Sequence, residues 1–317
     1  MKLKYLVLAF CIPAVFTVQA DLYARPFIPG KISTNISLGS LSGKTKERVY
    51  AFNEGGRKIS QLDWKYNNAA IIKGALTWDI MTWLSVGASG WTTIDSRRGY
   101  MTDTDWLDTS KPHEWTNYSW HPKTRLNFAN EFDLNIKGWI LNEMCYRLGI
   151  MAGYQESRYS FKAVGGSYIY PSNEGVYDRG RVGTIPADQR GISYKQRFRI
   201  PYIGLVGSYR YENFEFGGAF KYSNWVSSSD NDEHYHRSIT FRENFKNQRY
   251  YSLAANVGYY FIHNAKIYAE GTWSRINNKK GDASIYDYSH KLYGKNPGGG
   301  GIENYNFITT VGLVYHF

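Results

Sequence analysis

Cysteine, proline and long apolar runs are all scarce in this chain, and each scarcity closes off a class of fold. Of its 2 cysteines, Cys11 lies in the amino-terminal apolar stretch, so Cys145 has no partner and no disulfide framework holds the protein. Only 9 prolines interrupt 317 residues, which leaves long stretches free to pair as strands. A membrane-spanning helix needs about 20 consecutive apolar residues, and none follows residue 20. The sequence has no G-x-S-x-G, which removes one serine-hydrolase signature without removing every serine mechanism. Its acidic runs also lack the glycine that an EF-hand loop requires at its sharp turn.

What is abundant points the other way. Aromatics make up 17% of the chain, with 28 tyrosines and 31 glycines, while hydrophobic residues reach only 43%. Many strands joined by turns, with aromatic girdles at a membrane interface, account for such a composition. Residues 1–20 read as an export signal. Lys2 and Lys4 form a positive start, Tyr5 to Val18 is largely apolar, and Val18-Gln19-Ala20 supplies the cleavage site. Cleavage after Ala20 leaves 36 basic against 27 acidic residues, a mature charge of +9. A basic exported protein meets polyanions, among them nucleic acid, heparin-like polymers, anionic lipid headgroups and lipopolysaccharide phosphates.

Period-two alternation recurs along the rest of the chain. Tyr251, Leu253, Ala255, Val257, Tyr259 and Phe261 alternate with Ser252, Asn256 and Gly258. Phe214, Phe216, Phe220 and Tyr222 do so with Asn213, Glu215 and Lys221, and Phe132, Leu134 and Ile136 with Asp133, Asn135 and Lys137. Each such strand has one apolar and one polar face. A soluble sandwich would bury the apolar face; a membrane barrel would show it to lipid. The export signal, the charged groups in mid-strand and the alternating end Tyr305, Phe307, Val311, Leu313, Tyr315, Phe317 favour the barrel. Strands are expected near 34–41, 44–52, 59–66, 70–80, 84–93, 125–141, 145–161, 195–210, 213–226, 248–261, 266–276 and 305–317, some of them fused. Bacterial single-chain barrels use even strand numbers, so the expectation is an all-β, ten-stranded antiparallel transmembrane barrel over 21–317. Several runs exceed the about 10 residues needed to cross a bilayer, so the barrel should extend above the membrane.

Two acidic clusters fall where strand extensions or loops should stand: Asp103-Thr104-Asp105 and Asp230-Asn231-Asp232-Glu233-His234. In an extended chain, i and i+2 share a face. Asp103 and Asp105 would then crowd two carboxylates, of which one holds a proton and the other accepts one from water. Asp232 would fix the tautomer of His234 and stabilise its protonated form. Spacing alone leaves two other readings open. The acidic runs can be solvated surface, and Asp103, Asp105, His234 and His236 suit a divalent ion.

The outer wall carries a second pattern. The apolar series Tyr146, Leu148, Ile150, Ala152 continues in parity to Tyr154, Glu156 and Arg158. The series Ile203, Leu205, Tyr209 runs back to Arg199 and Arg197. Charged groups just beyond an apolar band meet headgroups, by simple snorkelling or by gripping the phosphates of lipid A.

SLGSLSGKTKERVY, GGRKISQLDWKYNNAAIIKGA, GWTT, NEFDLNIKGW, GIMAGYQESRYSF, YKQRF, PYIGLVGSYRYE, SSDNDEHY and GIENYNFITT span nearly the whole mature chain. In these stretches the sequence resembles the omptin family of bacterial outer-membrane aspartyl-type proteases. The resemblance implies a narrow ten-stranded barrel with a catalytic groove at its extracellular mouth. It implies Asp103 and Asp105 as a carboxylate couple and Asp232 with His234 as the facing dyad, with a water between them as nucleophile and no metal or cofactor. It further implies Glu47 and Asp230 as the carboxylates that receive a basic side chain before the scissile bond. Without the family, Glu47 reads as a surface salt bridge to Lys46 or Arg48. Lipopolysaccharide is the implied activating lipid, at Tyr154, Glu156, Arg158, Arg197 and Lys246. Lys246 breaks parity with 251–261, so a bulge or loop must intervene. Asn117 stands where some omptins carry an aspartate that favours a second basic residue after the cut, so that preference should be looser here. Ser119 lies near the groove and is assigned no role. Basic peptides and proteins, including cationic antimicrobial peptides and zymogens such as plasminogen, are the expected substrates, and no nucleic acid is expected as partner. The rival readings are a non-catalytic barrel, adhesin or small porin, with an acidic cation-binding mouth, and a metal-dependent or lipid-cleaving barrel enzyme.

Overall fold

The computed structural model describes residues 30–95, 97–173 and 175–317, so the expected export segment 1–20 lies outside the described residues. Its strands are β1 (Ile32–Ala51), β2 (Arg57–Met81), β3 (Leu84–Thr93), β4 (Arg97–Asp105), β5 (Asn117–Asn142), β6 (Tyr146–Tyr170), β7 (Arg181–Tyr211), β8 (Phe214–His234), β9 (Ile239–Ile262), β10 (Ala265–Asp287) and β11 (Leu292–His316). All pairings are antiparallel, and β1 closes the ring on β11, from Ser33↔His316 to Val49↔Gly300. Closure leaves no edge, as a wall in lipid requires.

The eleven strands occupy ten positions. β3 and β4 both lie between β2 and β5: β2 pairs with β3 from Ile71 to Met81 and with β4 from Ser60 to Tyr66. The ten-strand expectation therefore holds, with three differences of detail. The stretches 34–41 and 44–52 are one strand, as are 59–66 and 70–80. A β-bulge flips parity where they join, between Leu41 and Gly43 on β1 and at Asn68 (φ 53°) on β2. Residues 97–105 form a strand that alternation did not mark. β5, β6, β7, β8, β9, β10 and β11 also run beyond their expected ends, because extensions standing in water need no apolar face to lipid.

Connections at one end are short: 82–83, 143–145, 212–213 and 263–264. Those at the other end include 106–116 and 171–180, the asymmetry of outer-membrane barrels. An outward apolar band lies toward the short-turn end and includes Ile36, Leu76, Leu134, Ile150, Leu205, Leu253 and Leu313. Outward aromatics flank it, with Tyr209, Phe214, Tyr259 and Phe317 below and Phe128, Trp225, Phe307 and Tyr305 above. Strands of 20 or more residues, such as β7 at 31, overshoot the about 10 that a bilayer needs, and the upper half of the wall stands clear of it.

The lumen is filled in two storeys. Inside the membrane band sit ion pairs: Lys221 with Asp133 at 2.6 Å, Lys73 with Glu270 at 2.5 Å, and Glu215 between Arg210 and Lys266. Above them Trp64, Tyr66, Tyr159, Phe161, Tyr194 and Phe198 form a buried aromatic plug, with Trp64 stacked on Tyr194 at 5.5 Å. Ten strands enclose a space that side chains can largely fill, and here the aromatic plug closes it, leaving beneath a cavity of about 210 Å³ lined by Lys73, Asp133, Lys221 and Glu270. A small open porin is not the architecture observed.

The bulge required by Lys246 is present. Lys246 and Asn247 both face outward between buried Phe245 and Gln248, and Asn247 has φ 55°. The β8–β9 register shifts at the same level.

Val257 faces lipid in the middle of the band. Val257→Arg should cost about 2–4 kcal/mol of barrel stability, read from refolding into bilayers against denaturant. A variant as stable as the parent would show that this face does not meet hydrocarbon.

Candidate active site

Strand extension places the acidic clusters. Asp103 and Asp105, two apart on β4, both turn inward, with Asp103 in register with Leu62 and Ser119, and Asp105 with Ser60 and Asn117. Asp230, Asp232 and His234 turn inward on β8 by the same alternation, while Asn231 and Glu233 turn out and hydrogen-bond each other. Asp103, Asp105 and His234 line one cleft of about 610 Å³ with Asn117, Ser119, Tyr170 and Arg237. The cleft lies at the long-loop end, above the aromatic floor.

Asp232 is 1% exposed, and its Oδ2 lies 2.6 Å from His234 Nε2. The imidazole packs edge-on against Phe241, ring centres 5.4 Å apart. Burial alone would lower the His234 pKa, but the charge and hydrogen bond of Asp232 outweigh it and raise the value above that of an ordinary histidine. Burial first, and Asp105 second, push the Asp103 carboxyl up to about 8. Burial also raises Asp105. At neutral pH the couple therefore retains a proton, as two carboxylates on one half-buried face must. Arg237, in the short β8–β9 turn, lowers both carboxyls in part by its positive charge.

Ser119 is buried, and its Oγ lies 3.0 Å from His121 Nε2. The His121 Nδ1 in turn donates to the Gly165 carbonyl at 2.5 Å, which leaves Nε2 to accept from the serine hydroxyl. Asn117 sits beside Asp105 with its Oδ1 buried and unpaired.

Below the dyad the structure joins Glu47 to Asp230, as expected, and adds Glu243. Ligand oxygens of these three lie within 4.8 Å of one another, and the residues are 1%, 8% and 1% exposed. Glu47 is no surface salt bridge; Arg48, which faces the other way, pairs with Glu303 at 2.7 Å. Asp230 accepts from the Tyr194 hydroxyl at 3.0 Å and from the Glu243 backbone N–H at 3.1 Å. Burial pushes Asp230 up to about 8 and raises Glu47 and Glu243 well above ordinary carboxylates, with their mutual repulsion adding to it. Sequence reading missed Glu243 because it stands 13 residues from Asp230, its nearest partner in sequence, across a turn, in a run that carries no motif. Its inward parity with Phe245 was the available signal. Among the described residues this is the set whose geometry suits a metal; Asp103, Asp105, His234 and His236 are not brought together as one.

On the outer wall Tyr154, Glu156, Arg158 and Arg197 do meet. Glu156 holds Arg158 at 2.6 Å and Arg197 at 2.8 Å, with Arg199 at 3.9 Å and the Tyr154 hydroxyl at 3.5 Å. Three guanidiniums around one carboxylate leave a net positive, half-exposed patch at the upper edge of the apolar band. Lys246 stands apart from it, on β9 with β8 between.

A model of the Omptin family matches residues 28–317. The chain is 61% identical over 317 residues to outer membrane protease OmpP of Escherichia coli strain K12, covering 100% of both. It is 60% identical over 319 residues to Protease 7 of the same strain, again covering 100% of each. Its fold is similar to the crystal structure of outer membrane protease OmpT from Escherichia coli, with a TM-score of 0.88 and 63% identity, covering 91% of this chain and 97% of that one.

Buried carboxyls whose folded pKa is raised stabilise the fold below the ordinary carboxylate range, and that contribution is lost as pH rises through the folded value. For Asp103 and Asp230 the window closes at about 8. The barrel should therefore lose stability from about pH 5 to about pH 8, and Glu243→Gln should lessen the loss. Heat-modifiable gel mobility across this range reads both; identical pH dependence in variant and parent would contradict the assignment.

Proposed function

The chain belongs to the Omptin family, and on that premise we propose that it is an endopeptidase whose nucleophile is a water activated between the Asp103–Asp105 couple and the Asp232–His234 dyad. It is a barrel of the outer membrane, similar over its whole length to outer membrane proteases. The observation that carries the mechanism is the common cleft: Asp103, Asp105 and His234 line it, and Asp232 is bonded to His234 from behind.

With Nε2–H donated to Asp232, the imidazole keeps Nδ1 as proton acceptor. A water in the cleft loses a proton to the dyad as its oxygen attacks the peptide carbonyl. Asp232 stabilises the imidazolium so formed. The couple, which retains one proton, places a hydrogen-bond donor and an acceptor on the other side of that water. The amine leaves with the proton that the imidazolium returns. No metal or cofactor enters this scheme, and no covalent acyl-enzyme forms.

Asp230 lies two residues before Asp232 on the inward face of β8, with Glu47 of β1 beside it, where a basic side chain before the cut would reach them. Opposite charge offsets the water that side chain must shed. Cleavage after or between basic residues is the resulting specificity, with cationic antimicrobial peptides and zymogens such as plasminogen as substrates. The long-loop end faces the cell exterior in this reading, and lipopolysaccharide phosphates seat on Arg158, Arg197 and Lys246 and activate the enzyme.

Protein refolded with rough lipopolysaccharide should cleave a fluorogenic peptide after Arg or Lys, at a rate unchanged by chelators. Reversible loss with a chelator would favour the metal reading. Asp105→Ala and His234→Ala should each lower kcat by at least about a hundredfold while the barrel keeps its folded mobility. Activity retained in either would sink the mechanism. Because His234 titrates above an ordinary histidine, activity should fall as pH drops, along a limb on the alkaline side of the usual imidazole range. Asn117→Asp should sharpen preference for a basic residue after the cut by about tenfold, by the charge-assisted hydrogen bond it adds, which a peptide-library profile measures.

A further inference from the structure

We propose that the outer wall across β8, β9 and β10 carries a binding site for an anionic saccharide, a pyranose bearing a phosphate or a carboxylate. The site arises where two strands part. β9 and β10 pair at Tyr250↔Ile276 and again at Asn244↔Asp282, and between these points residues 245–249 and 277–281 do not pair with each other. Both pairs keep one register, so the strands separate and rejoin without a slip. The β8–β9 ladder shifts at the same level, where Asn224 and Trp225 both face outward. The β10–β11 ladder shifts between Ile276 and Lys279. Together they leave a concavity of about 610 Å³ in the wall, within the range of about 300–1,000 Å³ that ligand clefts occupy.

Hydrocarbon does not tolerate open ladder positions, so the parting must stand at the headgroups or above them. Its place agrees, since Leu253 and Val257 of the apolar band lie below it on β9 and Trp225 belongs to the upper girdle. Gln248 keeps the concavity from opening into the lumen. This side chain is fully buried, its Nε2 donates to the carbonyls of Asn277 at 3.2 Å and Ile302 at 3.0 Å, and its Oε1 accepts from the Ser228 hydroxyl.

The lining selects a sugar that carries negative charge. Trp225 is 52% exposed and offers an aromatic surface on which the C–H face of a pyranose stacks. Asn224, Asn247 and Asn277 supply amides, each both donor and acceptor, as neighbouring ring hydroxyls require. Asn277 Oδ1 is buried without a hydrogen-bond partner, which leaves it free to accept from one such hydroxyl. Arg249 and Lys279 also line the cavity, and among the described residues no carboxylate does. Lys279 gives one donor to the Asn247 carbonyl at 3.2 Å and keeps two. Cations without a counter-ion in the wall call for an anion on the ligand. A bare phosphate would leave the tryptophan and the amides unused, and a neutral sugar would leave the cations unused. None of Tyr154, Glu156, Arg158, Arg197 and Lys246 lines this cavity, so it is separate from the arginine cluster on β6 and β7.

The test is calorimetric titration of the full chain, refolded in detergent without lipopolysaccharide, with glucose 6-phosphate, glucose and inorganic phosphate as probes. Glucose 6-phosphate should bind saturably and at least about tenfold more tightly than either of the others, the factor expected for one charge-assisted hydrogen bond or one aromatic stack. Arg249→Gln should reduce its affinity to that of glucose. Trp225→Ala should weaken it about tenfold, and Trp225→Leu serves if the alanine protein does not fold. Arg158→Gln should leave it unchanged. Rough lipopolysaccharide added before the titration separates two sources of the same chemistry: loss of glucose 6-phosphate binding assigns the site to saccharide of the surrounding leaflet, and retained binding assigns it to a soluble glycan. Absence of saturable binding overturns the proposal. So does inorganic phosphate that binds as tightly as the sugar phosphate, or a loss in Arg158→Gln equal to that in Arg249→Gln.

Discussion

A wall exposed to hydrocarbon must satisfy every backbone N–H and C=O sideways, and the closure of β1 on β11 is how this chain does so. That closure makes successive side chains alternate strictly between lipid and lumen. Leu253 and Val257 go out and Ser252 goes in for the same reason that Asp103 and Asp105 share one face. Because the strands continue above the membrane without losing their pairing, the alternation continues into water and sets the polar groups of the cleft. The site is thus held by strand ladders rather than by loops. Its side chains inherit the rigidity of the barrel.

The aromatic plug gives that rim its chemistry. Trp64, Tyr66, Tyr159, Phe161 and Tyr194 close the lumen beneath the acidic groups and keep bulk water from one side of them. Carboxyls above such a floor are hard to ionise, and neighbours of like charge make it harder. The result is a couple that keeps a proton at neutral pH, with Asp103 at about 8, facing an imidazole that Asp232 holds ready to become charged. Burial raises the two carboxyls, whereas Asp232 raises the imidazole against a burial that would lower it. Energy spent on these groups is offset by the ladders and the packed interior around them.

Irregularities in the ladder are as informative as its regular parts. The bulge at Lys246 and Asn247 lets a basic residue face the headgroup level although the apolar residues below it have the other parity. The bulge pairing Ser42 with Asn68 does the same for β1 and β2, with the Asn68 N–H donated to the Ser42 hydroxyl at 2.9 Å. Glu156, buried under three arginines, gathers their guanidiniums at one place on the wall. None of these features disturbs closure, since pairing resumes on both sides of each bulge.

Local order along the chain was enough to read the barrel, its ten positions, the lipid-facing series, and the pairs Asp103–Asp105 and Asp232–His234, because a period of two is a property of neighbours in sequence. It was also enough to call for a bulge or a loop near Lys246, of which the structure has the bulge. It did not reveal residues 97–105 as a strand or the full length of the others, since above the bilayer no apolar face is selected and alternation loses its meaning. Nor could it bring Glu243 to Glu47 and Asp230. Parity says that a side chain points inward, but which side chains meet there depends on how β1, β8 and β9 stand around the ring and on the room left by Gly300. Contacts across a lumen are distances in space between residues nearly two hundred apart in sequence, and only the closed tertiary structure decides them.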